Sequence, residues 1–166
     1  GTEIWKKQWG TDGNIVLKSM ALDNDGNIFI TGDRAPNIGG SMSLEKRDMN
    51  GELLWRRGLP GTSMYEKSMG NAVAVDKSGN VFVTGFTSAD LGVNINAGQY
   101  DAFLMKFKND GEAVWGKLWG TFWIEHGKGV TVDSNGNIVV TGTTDGNLTD
   151  ASTVDENIFL LSIKSQ

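Results

Sequence analysis

Three times along this chain a short polar turn leads into a block of apolar residues that closes on Thr-Gly: DNDGNIFITG at 23–32, DKSGNVFVTG at 76–85 and DSNGNIVVTG at 133–142. The leading aspartates Asp23, Asp76 and Asp133 are 53 and 57 residues apart. A Gly-x-x-x-Trp segment recurs in the same order, as GTEIW at 1–5, GELLW at 51–55 and GEAVW at 111–115. A third segment precedes the Trp segment, FLMKFKNDGE at 103–112 and FLLSIKSQ at 159–166, with a more polar counterpart, SLEKRDMNGE, at 43–52. Self-similarity at this spacing means one supersecondary unit used three times.

Each unit reads as four short strands. Strand a carries Met20-Ala21-Leu22, Val73-Ala74-Val75 and Val130-Thr131-Val132, where large residues alternate with small ones that suit a crowded innermost strand. Strand b follows at Ile28–Thr31, Val81–Thr84 and Ile138–Thr141. Its three consecutive apolar residues argue burial on both faces, since a strand with one wet face alternates. Strand c is Leu44–Arg47, Phe103–Phe107 and Phe159–Ile163, and strand d is the Trp segment. The charged tails Trp5-Lys6-Lys7 and Trp55-Arg56-Arg57 place strand d on the outside, where charge guards an edge against further pairing.

The a–b and c–d links are short and built from Asx and Gly, the residues that supply local hydrogen bonds and positive φ to hairpins. The b–c and d–a links are long and differ between copies. In an antiparallel meander the two kinds of link lie at opposite ends, so the variable loops gather on one face.

The run Val73-Ala74-Val75-Asp76 through Gly85, then Tyr100-Asp101-Ala102-Phe103-Leu104, then Lys108-Asn109-Asp110-Gly111-Glu112 and Trp115, resembles the bacterial SBBP family of β-propeller repeats. The likeness covers essentially the whole chain and is strongest over 69–142. It implies an all-β fold of propeller blades, each of four antiparallel strands; a β-trefoil, also threefold, is the competing architecture. It speaks to repeat type, because the shared residues build blades, and little to function. The first copy departs most: Ser43, Glu45 and Arg47 stand where the second has Phe103, Met105 and Phe107. That blade is expected to pack least well, or to face a neighbour from elsewhere.

Residues 1–10 then read as a strand d completing a blade, 11–58 as the first repeat, 59–120 as the second, and 121–166 as a third without its own strand d. Joining Ile163–Gln166 to Gly1–Trp5 reproduces the register of Phe107–Trp115. Because propellers have about four to eight blades, three do not close a ring. The expectation is self-association of two chains into a six-bladed ring, or a fragment of a longer propeller.

Composition narrows the partners. A formal charge of -5 and a pI near 4.8 remove the basic stripe that nucleic acid binding requires. The chain has no cysteine, hence no disulfide framework or thiolate metal site, and no apolar run approaches the roughly 18 residues of a membrane span. It opens at Gly1 without a signal segment, which reads as processing or excision from something longer.

Candidate chemistry is sparse. His126, the only histidine, follows Glu125 and the Phe122-Trp123 pair in a d–a loop, a setting that suits a general base or ligand. No nucleophile elbow, metal-spaced His pair or phosphate loop accompanies it. Asp23-Asn24-Asp25-Gly26-Asn27 has Gly fourth and Arg34 twelfth, where a calcium loop wants Gly sixth and Glu twelfth, so it reads as a hairpin turn. The acidic b–c loop with Asp145, Asp150, Asp155 and Glu156 could hold a structural calcium ion. Asn147-Leu148-Thr149 is a glycosylation sequon. Five of the six tryptophans repeat with strand d; Trp123 does not, and is the better surface contact. Tyr65, Asp33 and Arg34 are read as loop residues on the same face. The favoured function is a noncatalytic module, secreted or on the cell surface, that binds protein or carbohydrate through the long-loop face. The alternatives are a structural or assembly unit and a hydrolase or lyase acting on a polysaccharide.

Overall fold

The computed structural model describes residues 1–10, 14–35, 40–59, 66–148 and 156–164, and among these the regular structure is all strand. The first sheet is β1 (Asn14–Leu22), β2 (Ile28–Ala35), β3 (Ser41–Arg47) and β4 (Leu53–Gly58). The second is β5 (Ser68–Val75), β6 (Val81–Thr87), β7 (Asp101–Phe107) and β8 (Ala113–Trp119). The third has β9 (Glu125–Val132), β10 (Asn137–Thr144) and β11 (Asn157–Lys164). Each sheet is an antiparallel meander in chain order. These are three separate blades of a propeller-type fold, not the closed barrel of a trefoil.

The repeated decapeptide explains itself atom by atom. Asp76 Oδ1 accepts the N–H groups of Ser78 and Asn80, and its Oδ2 accepts the Asn80 side chain; Asp23 and Asp133 do the same in their turns. Gly26, Gly79 and Gly136 sit at φ of 80°, 81° and 81°, the left-handed region that a Cβ penalises. The closing Thr-Gly has a second job. Thr31, Thr84 and Thr141 donate their hydroxyls to the carbonyls of Ser43, Phe103 and Phe159 across the sheet. The following glycine faces a bulge in the innermost strand, where a Cβ on Gly32, Gly85 or Gly142 would lie 2.0, 1.8 or 2.1 Å from the carbonyl oxygen of Val16, Met69 or His126.

β6 and β7 are buried along their whole length because the second sheet is covered on both faces. Phe29, Met42 and Leu44 of the first sheet pack on Val81, Val83, Phe103, Met105 and Phe107 of the second. Phe82, Ala102 and Leu104 on its other face pack on Ile138, Val140 and Phe159 of the third. The apolar triplet of strand b is thus divided between two interfaces, Val81 and Val83 turned back, Phe82 turned forward. Full burial of a ring such as Phe82 contributes about 2–3 kcal/mol.

The polar third strand of the first sheet is buried rather than solvated. Glu45, 3% exposed, holds Arg47 at 2.8 Å and Arg56 at 2.6 Å, so the charges are paired where burial of a lone one would be costly. Residues 1–10 contain no hydrogen-bonded strand, yet they lie against this sheet: the Trp9 ring covers the Arg47 guanidinium at 3.7 Å, and the Trp5 indole donates to Met49 O at 3.1 Å.

Two expectations from the sequence need correction here. Asp33 and Arg34 are not loop residues; they extend β2 and pair with Met42 and Ser41. Glu125 and His126 likewise open β9, opposite Thr144 and Thr143. In both places the ladder runs further than the apolar block, because backbone pairing continues past the last residue that needs burial.

Candidate functional site

The long-loop end of the junction between the second and third sheets brings together three of the candidates, Trp123, Glu125 and His126. Its anchor is Glu125, fully buried. One carboxylate oxygen accepts the hydroxyls of Thr121 and Thr144, each at 2.7 Å, and the other accepts the Thr121 N–H at 2.6 Å. The Glu125 N–H donates to Tyr100 O at 2.7 Å, the Asp145 N–H to Ile124 O, and the Gln99 N–H to Trp123 O. The loop from Thr121 to Ile124 is therefore tied to two neighbouring segments, Gln99-Tyr100 and Thr144-Asp145. At its tip Phe122 and Trp123 stand 72% and 52% exposed, edge to face with centroids 5.4 Å apart.

His126 is half-buried beside this loop. Its ring lies 4.3 Å from Phe86 and 6.2 Å from Tyr100, centroid to centroid, and Phe86 and Tyr100 meet edge to face at 5.2 Å. Burial pushes the imidazole below its ordinary value, and Lys128 adds to the effect while Asp145, Glu125 and Glu156 oppose it. Lys128 Nζ points at Nδ1 from 3.4 Å; an ammonium can only donate, so that nitrogen is the acceptor. The imidazole, tilted against the Phe86 ring, makes a wall of the site.

Asp101, whose place in a repeat motif gives it no separate signal in the sequence, is 1% exposed. It accepts the Ala97 N–H at 2.9 Å through one oxygen, while the other has no hydrogen-bond partner. Burial raises its pKa, partly offset by that hydrogen bond, with Glu125 and Asp90 raising it further. Phe86 was also missed. It replaces the Asp33 and Thr143 of the other copies, and that divergence at an aligned position is the signal that marks it.

The remaining candidates disperse. Asp33 lies in the first sheet, buried, with one oxygen lacking a partner; burial raises its pKa against the Ser41 N–H and the charges of Lys67 and Lys18. Arg34 is beside it in β2. Tyr65, Asp150 and Asp155 lie outside the described residues. Asp145 is exposed, and among the described residues no cluster of three His, Cys, Asp or Glu is placed to hold a metal ion. No described helix is long and apolar enough to cross a membrane.

The decapeptide, the antiparallel meander and the Thr-Gly bulge recur in all three sheets, and the family model for the SBBP β-propeller repeat matches residues 4–33, 65–92 and 126–149. The chain is built of SBBP β-propeller repeats. It is also similar to an uncharacterized WD repeat-containing protein of Acanthamoeba polyphaga mimivirus, 26% identical over 157 residues that take in 75% of this chain. The aligned part is 11% of that protein's length, so the chain spans about a tenth of this relative. A crystal structure of a protein of unknown function from Bacteroides caccae is similar to 81% of this chain and 40% of its own, with a TM-score of 0.46 and 16% identity. The matched SBBP segments contain the turns and inner strands, whereas Phe122 and Trp123 fall between matches.

Proposed function

We propose that this SBBP-repeat chain is a noncatalytic binding module that captures a polypeptide partner at the long-loop junction of its second and third sheets. The observation that carries this reading is the Phe122–Trp123 pair, two large aromatic side chains left in solvent on a loop that the buried Glu125 carboxylate holds in place. Exposed aromatics on an ordered loop offer contact area at small entropic cost. The neighbouring loop adds Val93 and Ile95, 95% and 76% exposed, and is joined to the first through Gln99 N–H and Trp123 O. Apolar side chains of this kind favour a protein surface.

A noncatalytic role is supported by the occupancy of the polar groups. Glu125, the carboxylate adjacent to His126 in sequence, is fully engaged by threonine donors, and the histidine Nδ1 faces a lysine.

Selection against a random peptide display library, with a glycan array in parallel, tests the reading. Peptides are expected to bind and to lose at least tenfold in affinity on the Phe122→Ala/Trp123→Ala double variant, whose melting temperature stays near that of the parent. Peptide binding unaffected by the pair sinks the proposal. Glycan binding that depends on it reassigns the site to carbohydrate.

A further inference from the structure

The two interfaces inside the chain define what the third sheet presents to solvent. Leu44 and Leu104 hold the same place in β3 and β7, and both are 0% exposed because the next sheet covers them; Leu160, their counterpart in β11, is 71% exposed. Met42 and Ala102 are 1% and 0% exposed, against 83% for their counterpart Ile158. β11 also lacks an outer strand: β3 pairs with β4 and β7 with β8, while β11 pairs only with β10 among the described residues. A cleft of about 220 Å³ lies at this edge, lined by Trp119, Leu148, Ile158, Leu160 and Leu161 among others.

Residues 1–10 are the mirror of this deficit. Trp5 donates to Met49 O as Trp55 donates to Asn109 O, both at 3.1 Å. A Cβ on Gly51 would meet Lys7 and Trp5, and one on Gly111 would meet Arg57 and Trp55. Trp9 lies over Arg47 where its counterpart Leu59 joins the core cluster that contains Phe107. In each comparison residues 1–10 take the position toward the first sheet that β4 takes toward the second. They occupy the place of an outer strand against the first sheet while pairing with no strand among the described residues.

We propose that the free edge and face of the third sheet receive a second copy of this chain, whose residues 1–10 pair with β11 and whose first sheet packs on Ile158 and Leu160. The register copied from β7 and β8, in which Met105 faces Gly116 and Lys106 faces Trp115, sets Leu161 opposite Lys6 and Ser162 opposite Trp5. The first sheet of the second copy offers Met20 and Leu22, 67% and 57% exposed, on the face that Ile30 and Ile28 share with them. Two copies joined in this way set six blades side by side, a number inside the range of about four to eight at which such rings close. This inference stands apart from the loop-face reading, since Phe122 and Trp123 take no part in it.

Light scattering on the eluted protein is expected to give twice the chain mass of 17.9 kDa. The chain has no cysteine, so a Lys6→Cys/Leu161→Cys variant reports the register directly. Under mild oxidation it is expected to run as a covalent dimer on a non-reducing gel. Leu160→Arg, at a position exposed in the single chain, is expected to leave a folded protein of single-chain mass. A monomer at high protein concentration overturns the proposal. So does a disulfide closed within one chain, or a dimer that neither cross-links through these cysteines nor responds to Leu160→Arg.

Discussion

The indole N–H of Trp55 donates to the carbonyl of Asn109, 3.1 Å away in the next blade. One strand d thereby grips the c–d turn of its neighbour, and the Arg57 guanidinium follows it with a 3.0 Å bond to Gly111 O. The bond joins sheets rather than strands, so it measures how firmly successive blades are fastened. Trp55→Phe keeps an aromatic ring against Phe29 and removes the donor. A single hydrogen bond is worth about 1 kcal/mol net, and the expected outcome is a melting temperature lower by about 3 °C for a chain of this length. An unchanged value shows that solvent satisfies the Asn109 carbonyl equally well.

Gly85 lies opposite the bulge of β5 with no room for a methyl group, since a Cβ there would be 1.8 Å from Met69 O. The obstructing atoms are the Met69 backbone and the buried Phe103 ring, which leave little to yield. Gly85→Ala is expected to cost about 3 kcal/mol or more, at the upper end of single substitutions, as read by urea denaturation. Gly136→Ala, whose Cβ meets nothing within 4 Å but whose φ is +81°, is expected to cost about 1 kcal/mol through strain alone.

Glu125→Gln swaps one acceptor oxygen for a donor amide in front of groups that already donate, Thr121 and Thr144. Hydrogen bonds to a charged acceptor are worth about 1.5–3 kcal/mol, and a loss in that range is expected on thermal unfolding. Amide exchange at Trp123, whose N–H is held by Thr121 Oγ1, is expected to speed up at the same time. Faster exchange without a loss of stability would confine the role of Glu125 to the loop.

Acidification acts on His126 with a definite sign. Its folded pKa lies below the ordinary 6.5 because burial disfavours the charged ring. The unfolded chain therefore takes up the proton first, and this contribution to stability is complete above about pH 6.5 and is lost as pH falls through the folded value. Melting temperature is expected to fall between pH 7.5 and 5.5, with a shallower slope in His126→Gln. A slope that does not change shows that other groups set it.

Asp33 runs the other way. Its folded pKa is raised by burial, so its contribution is present below the ordinary carboxylate range and lost as pH rises through the folded value. Asp33→Asn is expected to raise the melting temperature at pH 7 and to leave it unchanged near pH 3. A lower value at pH 7 would mean that the carboxylate charge is needed by Lys67 or Lys18.

Much of the architecture was legible in the residues because the repeat carries local physics. Asp76, Gly79 and Asn80 make a turn whose hydrogen bonds close within five residues, and the triplet Val81-Phe82-Val83 announces a strand covered on both faces. The site was far less legible. Trp123 stands out in the sequence because it falls off the repeat, but the strand that holds Glu125 and His126 does not, since pairing with Thr144 and Thr143 has no signature in their own segment. Phe86 and Asp101 were hidden for the opposite reason, lying within strands whose pattern already had an explanation. The polar third strand of the first blade, read from Glu45 and Arg47 as a weak point, turned out to bury a satisfied ion-pair network, because Arg56 and Trp9 come to it from elsewhere in the chain.

By itself the sequence determined the unit: four strands, two tight turns, an innermost strand spaced by small residues, and three copies in a row. Those features depend on contacts between residues close along the chain or one repeat apart, so periodicity records them. Only the tertiary structure decided which side chains meet between blades: that Glu125 is an internal anchor and not a ligand group facing solvent, that His126 rests on Phe86, and that Trp5 stands to Met49 as Trp55 stands to Asn109. Such pairings depend on the stacking of whole sheets, a relation between distant residues that no local pattern encodes.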